Sequence, residues 1–171
     1  MNQVIERLTA VWQDGAKLAF LGVGSPLRAD DAIGLLIVAA LEERLTRIAS
    51  KQLRFYLGES APENFSGVIR QFAPDYLIMV DAAEFAAAPG SFRLIQSDEI
   101  GGASFCTHML PLGILANYLE ATAGCRVLVV GVQPETLEFG HPVSQRVEQA
   151  AGQFVETFVK SVQFQSKTAI F

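Results

Sequence analysis

Four short apolar runs along the chain predict buried β-strands. The runs begin or end at a glycine or an acidic residue, as expected of strands covered on both faces. They are Leu18–Val23, Leu53–Leu57, Tyr76–Val80 and Val127–Val132. A further segment, Ser91–Gln96, follows the turn sequence Pro89-Gly90 and would make the sheet mixed.

Segments of helical periodicity lie between these runs, and each is opened by a Pro, Asp or Ser residue. They are Ala32–Arg47, Pro62–Phe72, Leu110–Ala123 and Val143–Val162. The alternation of strand and helix predicts an α/β sandwich. A chain of 171 residues has the length of one domain, 1–171, with an additional amphipathic helix in residues 1–14 and a loosely held tail in residues 163–171.

The composition argues against several broad classes of protein. Of the residues, 50% are hydrophobic and 18% are charged, so disorder is not expected over most of the chain. The net charge of −5 argues against a nucleic-acid binder, because phosphate contacts require a basic face. The uncharged stretch Ile100–Leu119 has the length of a membrane span, but it contains three glycines and a proline, so membrane insertion is not expected.

The cysteine content and the N-terminus bear on localisation. The two cysteines, Cys106 and Cys125, cannot form a disulfide framework. The first residues carry Glu6 and Asp14 and lack a basic region followed by an apolar segment, so no secretory signal is predicted. A cytoplasmic protein is therefore expected. The sequence leaves the oligomeric state open, with a monomer favoured.

Polar side chains gather in the segments that follow the predicted strands. Asp30 and Asp31 follow the first strand, Asp81 follows the third, and the pair Thr107-His108 lies in the uncharged stretch. In open α/β sheets, ligands bind beyond the carboxyl ends of the strands. The sequence therefore predicts a functional site at that edge of the sheet.

Asp31, Asp81 and His108 are the candidate site residues. Taken singly, each has a structural explanation, since aspartates cap helices or accept backbone bonds at strand ends, and a histidine can be satisfied in the core. One aspartate suffices as a cap, so Asp30 is predicted to cap the following helix and to leave Asp31 for the strand ends. Together, two carboxylates and an imidazole suit Zn²⁺ or Ni²⁺, with positions open for water or for a metal held by another molecule.

Other chemistries have weaker support in the sequence. Gly22 and Gly24 invite a dinucleotide-binding interpretation, but the third glycine of that motif would fall at Leu27, and two aspartates would stand where phosphate should bind. The G-x-S-x-G motif of serine catalysis does not occur. Cys106 lies two residues from His108 and could form a Cys–His pair, although a small buried cysteine is the commoner outcome.

Six segments of the chain carry a family resemblance. They are Leu21–Gly34, Glu59–Asn64, Ile78–Ala82, Pro89–Gly90, Thr107–Leu112 and Gly131–Glu135. In order and spacing they resemble the hydrogenase maturation endopeptidases, which remove a C-terminal peptide from the precursor of the [NiFe] hydrogenase large subunit. The resemblance extends over most of the chain, from Leu18 to Val159.

The resemblance implies a function, a site and a fold. The chain would be an endopeptidase acting on a [NiFe] hydrogenase large-subunit precursor, with Asp31, Asp81 and His108 at the metal-contacting positions of the family. The nickel would be supplied by the precursor, so these residues would recognise a completed cofactor and could also take part in cleavage. The implied fold is a three-layer α/β/α sandwich around a five-stranded, mostly parallel sheet.

The chain departs from the family pattern at two places. Ser25 stands where the family usually has asparagine, which changes the hydrogen bonding of the glycine loop. Leu57 stands where relatives commonly have aspartate, and Glu59 follows two positions later. Glu59 either supplies a carboxylate near the metal or forms a surface ion pair with an arginine such as Arg28, and we favour the ion pair.

Two other functions remain open on the sequence. A non-catalytic nickel-binding chaperone or docking module for hydrogenase assembly would need the same ligands without any cleavage. A nucleotide-binding α/β enzyme would be stabilised against unfolding by a nucleotide, because a ligand that binds the native state shifts the folding equilibrium.

Overall fold

The computed structural model describes residues 1–13, 15–49, 52–95 and 112–168. Among these residues, five strands form one sheet: β1 Leu18–Val23, β2 Leu53–Glu59, β3 Tyr76–Ala82, β4 Phe92–Ile95 and β5 Arg126–Val132. β1, β2, β3 and β5 lie where the four apolar runs predicted them, and β4 lies within the further predicted segment, Ser91–Gln96. β2 and β3 extend further at their carboxyl ends, because backbone pairing continues through the polar residues Glu59 and Asp81 that follow the apolar runs.

The order of the strands is β2-β1-β3-β5-β4. β1 pairs in parallel with β2 and β3, and β3 pairs in parallel with β5. β4 is antiparallel to β5, with Phe92 opposite Val132, so the sheet is mixed as predicted. The carboxyl ends of the four parallel strands meet at one edge, here called the strand-end edge. β2 and β3 lie on opposite sides of β1, so the topological switch point of this edge lies between β1 and β3.

Helices precede, connect and follow the strands. In the described chain these are α1 Asn2–Gln13, α2 Ile33–Ala49, α3 Ser66–Phe72, α4 Leu112–Ala123 and α5 Gln145–Thr168, with short 3-10 helices at Ala29–Ala32 and Pro62–Phe65. α5 continues to Thr168, into the segment predicted as a loosely held tail, and residues 169–171 lie outside the described residues. None of the described helices combines the length and the apolarity needed to span a membrane.

The helices pack on both faces of the sheet. On one face, α1, α2 and α5 cover a core that contains the fully buried rings of Phe20, Phe154 and Phe158. Within it, the rings of Phe92 and Phe154 stack with their centroids 4.7 Å apart. On the other face, α3 and α4 cover a second core around Leu115. The three-layer α/β/α sandwich is therefore confirmed.

Helix α1, the additional helix of the sequence analysis, contributes to the larger core. Its apolar residues Val4, Ile5, Leu8, Val11 and Trp12 are each at most 7% exposed. Their spacing places them on one stripe of the helix, which packs into the same core as α5. The first turns of the chain therefore stabilise the sheet that carries the site.

Leu8→Ala is expected to lower the free energy of unfolding by about 2–3 kcal/mol, because Leu8 is fully buried and its removal leaves a cavity. Urea denaturation followed by circular dichroism measures the change. Arg7→Ala, on the exposed side of the same helix, is the matched control and should change stability by less than about 0.5 kcal/mol. A loss at Leu8 no larger than the loss at Arg7 would mean that α1 does not stabilise the domain.

Candidate active site

The glycine loop, which joins β1 to α2, folds back onto the strand-end edge. Gly34 contacts two strand ends at once, because a Cβ atom there would overlap the carbonyl oxygen of Val80 and lie 2.5 Å from that of Val23. A Cβ atom on Gly24 would overlap the carbonyl oxygen of Asp31. Only glycine allows such close backbone approach. The glycine loop and the first turn of α2 therefore lie directly against the ends of β1 and β3, at the switch point.

Asp31 lies in the 3-10 helix of this loop, just before α2. The residue is 1% exposed, and its Oδ2 atom accepts a 2.9 Å hydrogen bond from the backbone N–H of Ser25. The backbone N–H of Asp31 donates to the carbonyl oxygen of Arg28 at 2.9 Å. The loop therefore holds both the main chain and the carboxylate of Asp31 in place.

Asp81 lies near the carboxyl end of β3 and is also 1% exposed. Its Oδ1 atom accepts a 2.9 Å hydrogen bond from the backbone N–H of Ala82. β3 lies between β1 and β5, and Asp81 itself is paired with Gly131 of β5. Because it belongs to a central strand, the main chain of Asp81 is fixed by the sheet.

The structure brings Asp31 and Asp81 to the same edge of the sheet. Gly34, three residues after Asp31, contacts the carbonyl group of Val80, which precedes Asp81. Two buried carboxylates therefore lie at the switch point, where ligands bind in open α/β sheets. His108, the third predicted site residue, lies outside the described residues. Within the described part of the chain, no three His, Cys, Asp or Glu residues are grouped to hold a metal ion.

Asp30 is not the cap of α2 that the sequence predicted. It is fully buried, and its Oδ2 atom accepts hydrogen bonds from the backbone N–H groups of Glu135 at 2.7 Å and Thr136 at 3.1 Å. Ser144 donates two more, from its N–H at 2.6 Å and from its hydroxyl at 2.7 Å. These donors all lie in the loop after β5. The carboxylate joins two loops of the strand-end edge because these distant donors, rather than the first turn of α2, surround it.

Two polar residues that the sequence analysis did not single out organise the loops around the site. Ser144 supplies two of the four bonds to Asp30. Gln133, which follows β5, accepts hydrogen bonds through Oε1 from the backbone N–H groups of Phe85 at 2.9 Å and Ala87 at 3.3 Å. The signal available for Gln133 was a polar residue directly after a buried strand. For Ser144 the sequence offered no comparable signal.

Glu59 does not form the predicted ion pair with Arg28 within the described residues. Glu59 is exposed at the carboxyl end of β2, whereas the Nε atom of Arg28 is buried without a hydrogen-bond partner. The backbone of Glu59 has a φ of +49°, and its carbonyl oxygen accepts a 3.1 Å bond from Gly24. At the usual asparagine position, the hydroxyl of Ser25 accepts a 3.4 Å bond from the N–H of Leu27. Glu59 therefore remains an exposed carboxylate of the strand-end edge.

Cys125 does not have the environment of a nucleophile. It precedes β5 at the edge opposite to the candidate site, and its Sγ atom contacts the carbonyl oxygen of Leu119 at 3.8 Å. Burial raises the pKa of the Cys125 thiol, so the reactive thiolate form is disfavoured. Cys106, the other cysteine, lies outside the described residues.

The chain matches proteins of known function over most of its length. Residues 36–161 match the family model of HycI, the hydrogenase maturation protease. The hydrogenase 3 maturation protease of Escherichia coli K12 is 33% identical over 131 residues, which cover 76% of this chain and 81% of that protein. The match to the family model includes the segments that carry Asp81 and the loop after β5.

Solved structures agree with the sequence matches. The crystal structure of a [NiFe] hydrogenase maturation protease, HycI, from Thermococcus kodakarensis KOD1 has a TM-score of 0.81 at 26% identity, covering 92% of this chain and 99% of that chain. The solution structure of the endopeptidase HycI from Escherichia coli has a TM-score of 0.68 at 31% identity, covering 82% and 87% respectively. This chain therefore belongs to the hydrogenase maturation protease family and is a peptidase.

Proposed function

We propose that this protein is the endopeptidase that removes the C-terminal extension of a [NiFe] hydrogenase large-subunit precursor after nickel has been inserted. The observation that carries the proposal is the pair of buried carboxylates, Asp31 and Asp81, at the switch point of the sheet. Buried carboxylates are rare in proteins unless they are paired, hydrogen-bonded or bind a cation. In a peptidase of the hydrogenase maturation family, such a pair would serve to bind a metal ion or to accept a proton.

Nickel enters this proposal as part of the precursor. Asp31, Asp81 and His108 would contact it, since carboxylate oxygens and an imidazole nitrogen are donors that suit Ni²⁺. The cation would offset the cost of keeping two negative charges out of water. When bound, it would supply Lewis-acid polarisation near the scissile bond.

The cleavage itself is a hydrolysis. The oxygen of a water molecule bonds to the scissile carbonyl carbon, the C–N bond breaks, and a proton of the water passes to the departing amine. Asp31 or Asp81 would act as the general base that takes this proton first. The same two carboxylates would then serve in recognition and in catalysis. A precursor that lacks nickel would leave their charges without a cation, and it would be cut poorly.

Intact mass spectrometry of the host's large-subunit precursors tests the proposal. Each precursor is prepared with and without nickel and is incubated with the protein, and a precursor already lacking its extension serves as the control. We expect loss of a C-terminal peptide from the nickel-loaded form alone. Loss from both forms would contradict the recognition of nickel. No loss from any loaded precursor would contradict the proposed function, and binding without loss would favour the chaperone alternative.

A further inference from the structure

An exposed apolar surface lies beside the buried carboxylates. Leu27 is 59% exposed and Phe139 is 72% exposed, although both are large apolar residues. Leu27 belongs to the glycine loop and Phe139 to the loop after β5, the two loops that Asp30 joins. We call Leu27 and Phe139 the apolar rim. Its exposure next to a candidate active site marks it for contact with another molecule.

Backbone hydrogen bonds hold the two halves of the apolar rim side by side. The N–H of Gly140 donates to the carbonyl oxygen of Leu27 at 2.8 Å, and the N–H of Ala29 donates to that of His141 at 3.2 Å. Gly140 has a φ of +78°, which favours glycine at this turn. Phe139, the neighbour of Gly140, is therefore presented from an ordered turn directly beside Leu27.

The charges around the apolar rim are mainly acidic. Exposed glutamates lie on the loop of the rim itself and at the neighbouring strand ends, namely Glu135, Glu138, Glu59, Glu63 and Glu84. The Nε2 atom of His141 lies 3.3 Å from the Oε2 atom of Glu138. The half-buried cation Arg28 follows Leu27, and the exposed cations Arg93 and Arg146 lie towards β4 and the start of α5, so the five glutamates still outnumber the cations. Lys17 precedes β1 at the opposite edge, and Lys160 lies in the second half of α5. The balance of charge beside the rim is therefore negative.

We propose that the apolar rim is the docking surface for the precursor segment next to the cleaved bond, and that this segment presents an apolar side chain flanked by lysine or arginine. The inference rests on the proposed function, which supplies the precursor as the partner. Charge complementarity selects the occupant, because the surrounding glutamates attract a basic segment and repel an acidic one. Docking is stabilised because the contact removes the apolar surface of the rim from water. A segment seated there would lie next to the loop that carries Asp31.

Phe139→Ser tests the apolar part of this surface. We expect the KM for the nickel-loaded precursor to rise about tenfold, because anchor residues of this kind dominate docking energies. The kcat should stay within about twofold, since the rim binds the segment without touching the reacting atoms. Phe164→Ser is the matched control, because Phe164 is 75% exposed near the other end of α5. A KM unchanged by Phe139→Ser overturns the proposal.

Glu138→Lys tests the charge of the partner. We expect the association rate of the precursor to fall about tenfold at low salt, and the difference from the unmodified protein to shrink as salt screens the charges. Glu43→Lys, an equal change of charge on the exposed side of α2, is the control and should leave the rate unchanged. Faster association of Glu138→Lys would identify an acidic partner segment and would overturn the proposal.

Binding measured by surface plasmon resonance separates the failure of this proposal from the failure of the proposed function. Binding of the loaded precursor that depends on Phe139 and Glu138, but without cleavage, supports the docking surface and contradicts the endopeptidase function. If the precursor is cleaved, and neither substitution changes the KM or the association rate, the result supports the function and overturns the docking surface. Circular dichroism of each variant confirms that the exposed substitutions leave the fold in place.

Discussion

Asp81→Asn is expected to reduce the rate of precursor cleavage by a factor of about a hundred or more while the fold is retained. In the unmodified protein, the Oδ1 atom of Asp81 accepts a 2.9 Å hydrogen bond from the N–H of Ala82. Asparagine has nearly the shape of aspartate and keeps an oxygen that can accept this bond. It lacks the negative charge that lets an aspartate act as a general base and bind a nickel cation strongly. Because Asp81 is 1% exposed, bulk water cannot take over that role. Intact mass spectrometry measures the rate, and thermal unfolding checks the fold.

Asp75→Asn is the matched control, because Asp75 directly precedes the same strand at its other end. Its Oδ2 atom accepts a 2.7 Å hydrogen bond from the N–H of Lys17, at the edge opposite to the candidate site. We expect Asp75→Asn to cleave at the unmodified rate. Asp31→Asn should behave like Asp81→Asn, since it keeps an acceptor for Ser25 and loses the charge. Near-normal cleavage by either site variant would remove that residue from the proposed site.

Asp30→Ala is expected to lower the free energy of unfolding by about 4–5 kcal/mol. The carboxylate of Asp30 is fully buried and accepts four hydrogen bonds. Bonds to a charged acceptor are stronger than neutral ones, and without it the backbone N–H groups of Glu135, Thr136 and Ser144 lose their partner. Urea denaturation gives the change. The variant should also cleave more slowly, because Asp30 positions the loops of the strand-end edge without contacting the substrate.

Ser144→Ala is the reference variant for the change in the free energy of unfolding caused by Asp30→Ala. It removes only the hydroxyl bond to Asp30 and keeps the bond from the backbone N–H, so a loss of about 1 kcal/mol is expected. If Asp30→Ala costs no more than Ser144→Ala, water has replaced the carboxylate between the loops, and Asp30 does not hold them together.

The strands and the position of the site could be predicted because both depend on local patterns. A run such as Tyr76–Val80 is apolar throughout because helices cover both faces of the sheet. The polar residue that follows such a run must then lie at the strand-end edge, which is how Asp81 was found. The residues at which the strands end were harder to predict from the sequence. β3 continues its backbone pairing through Asp81 to Ala82, because this pairing does not depend on the polarity of the side chain.

The roles of individual polar side chains depended on contacts that the sequence does not reveal. Asp30 has the local pattern of a helix cap, yet its partners lie 105 to 114 residues further along the chain. The pairing of Glu59 with Arg28 was wrong for the same reason, because the fold exposes Glu59 at the end of β2 and buries the Nε atom of Arg28. The contribution of His108 stays a prediction that rests on the resemblance and on its residue type.

The bonds of Asp30 also fix when the protein can become active during its synthesis. Asp30 and Ser144 are 114 residues apart, so bringing them together costs chain entropy. The hydrogen bonds between them offset this cost in free energy only after the loop has closed. Those donors leave the ribosome only after β5 has been made, whereas Asp31 and Asp81 have emerged long before. A nascent chain therefore carries both aspartates for much of its translation without the donors that hold Asp30, their neighbour in the glycine loop. We therefore expect a chain interrupted before Ser144 to lack the full set of bonds to Asp30, and its glycine loop to be less firmly attached to the strand-end edge than in the complete fold.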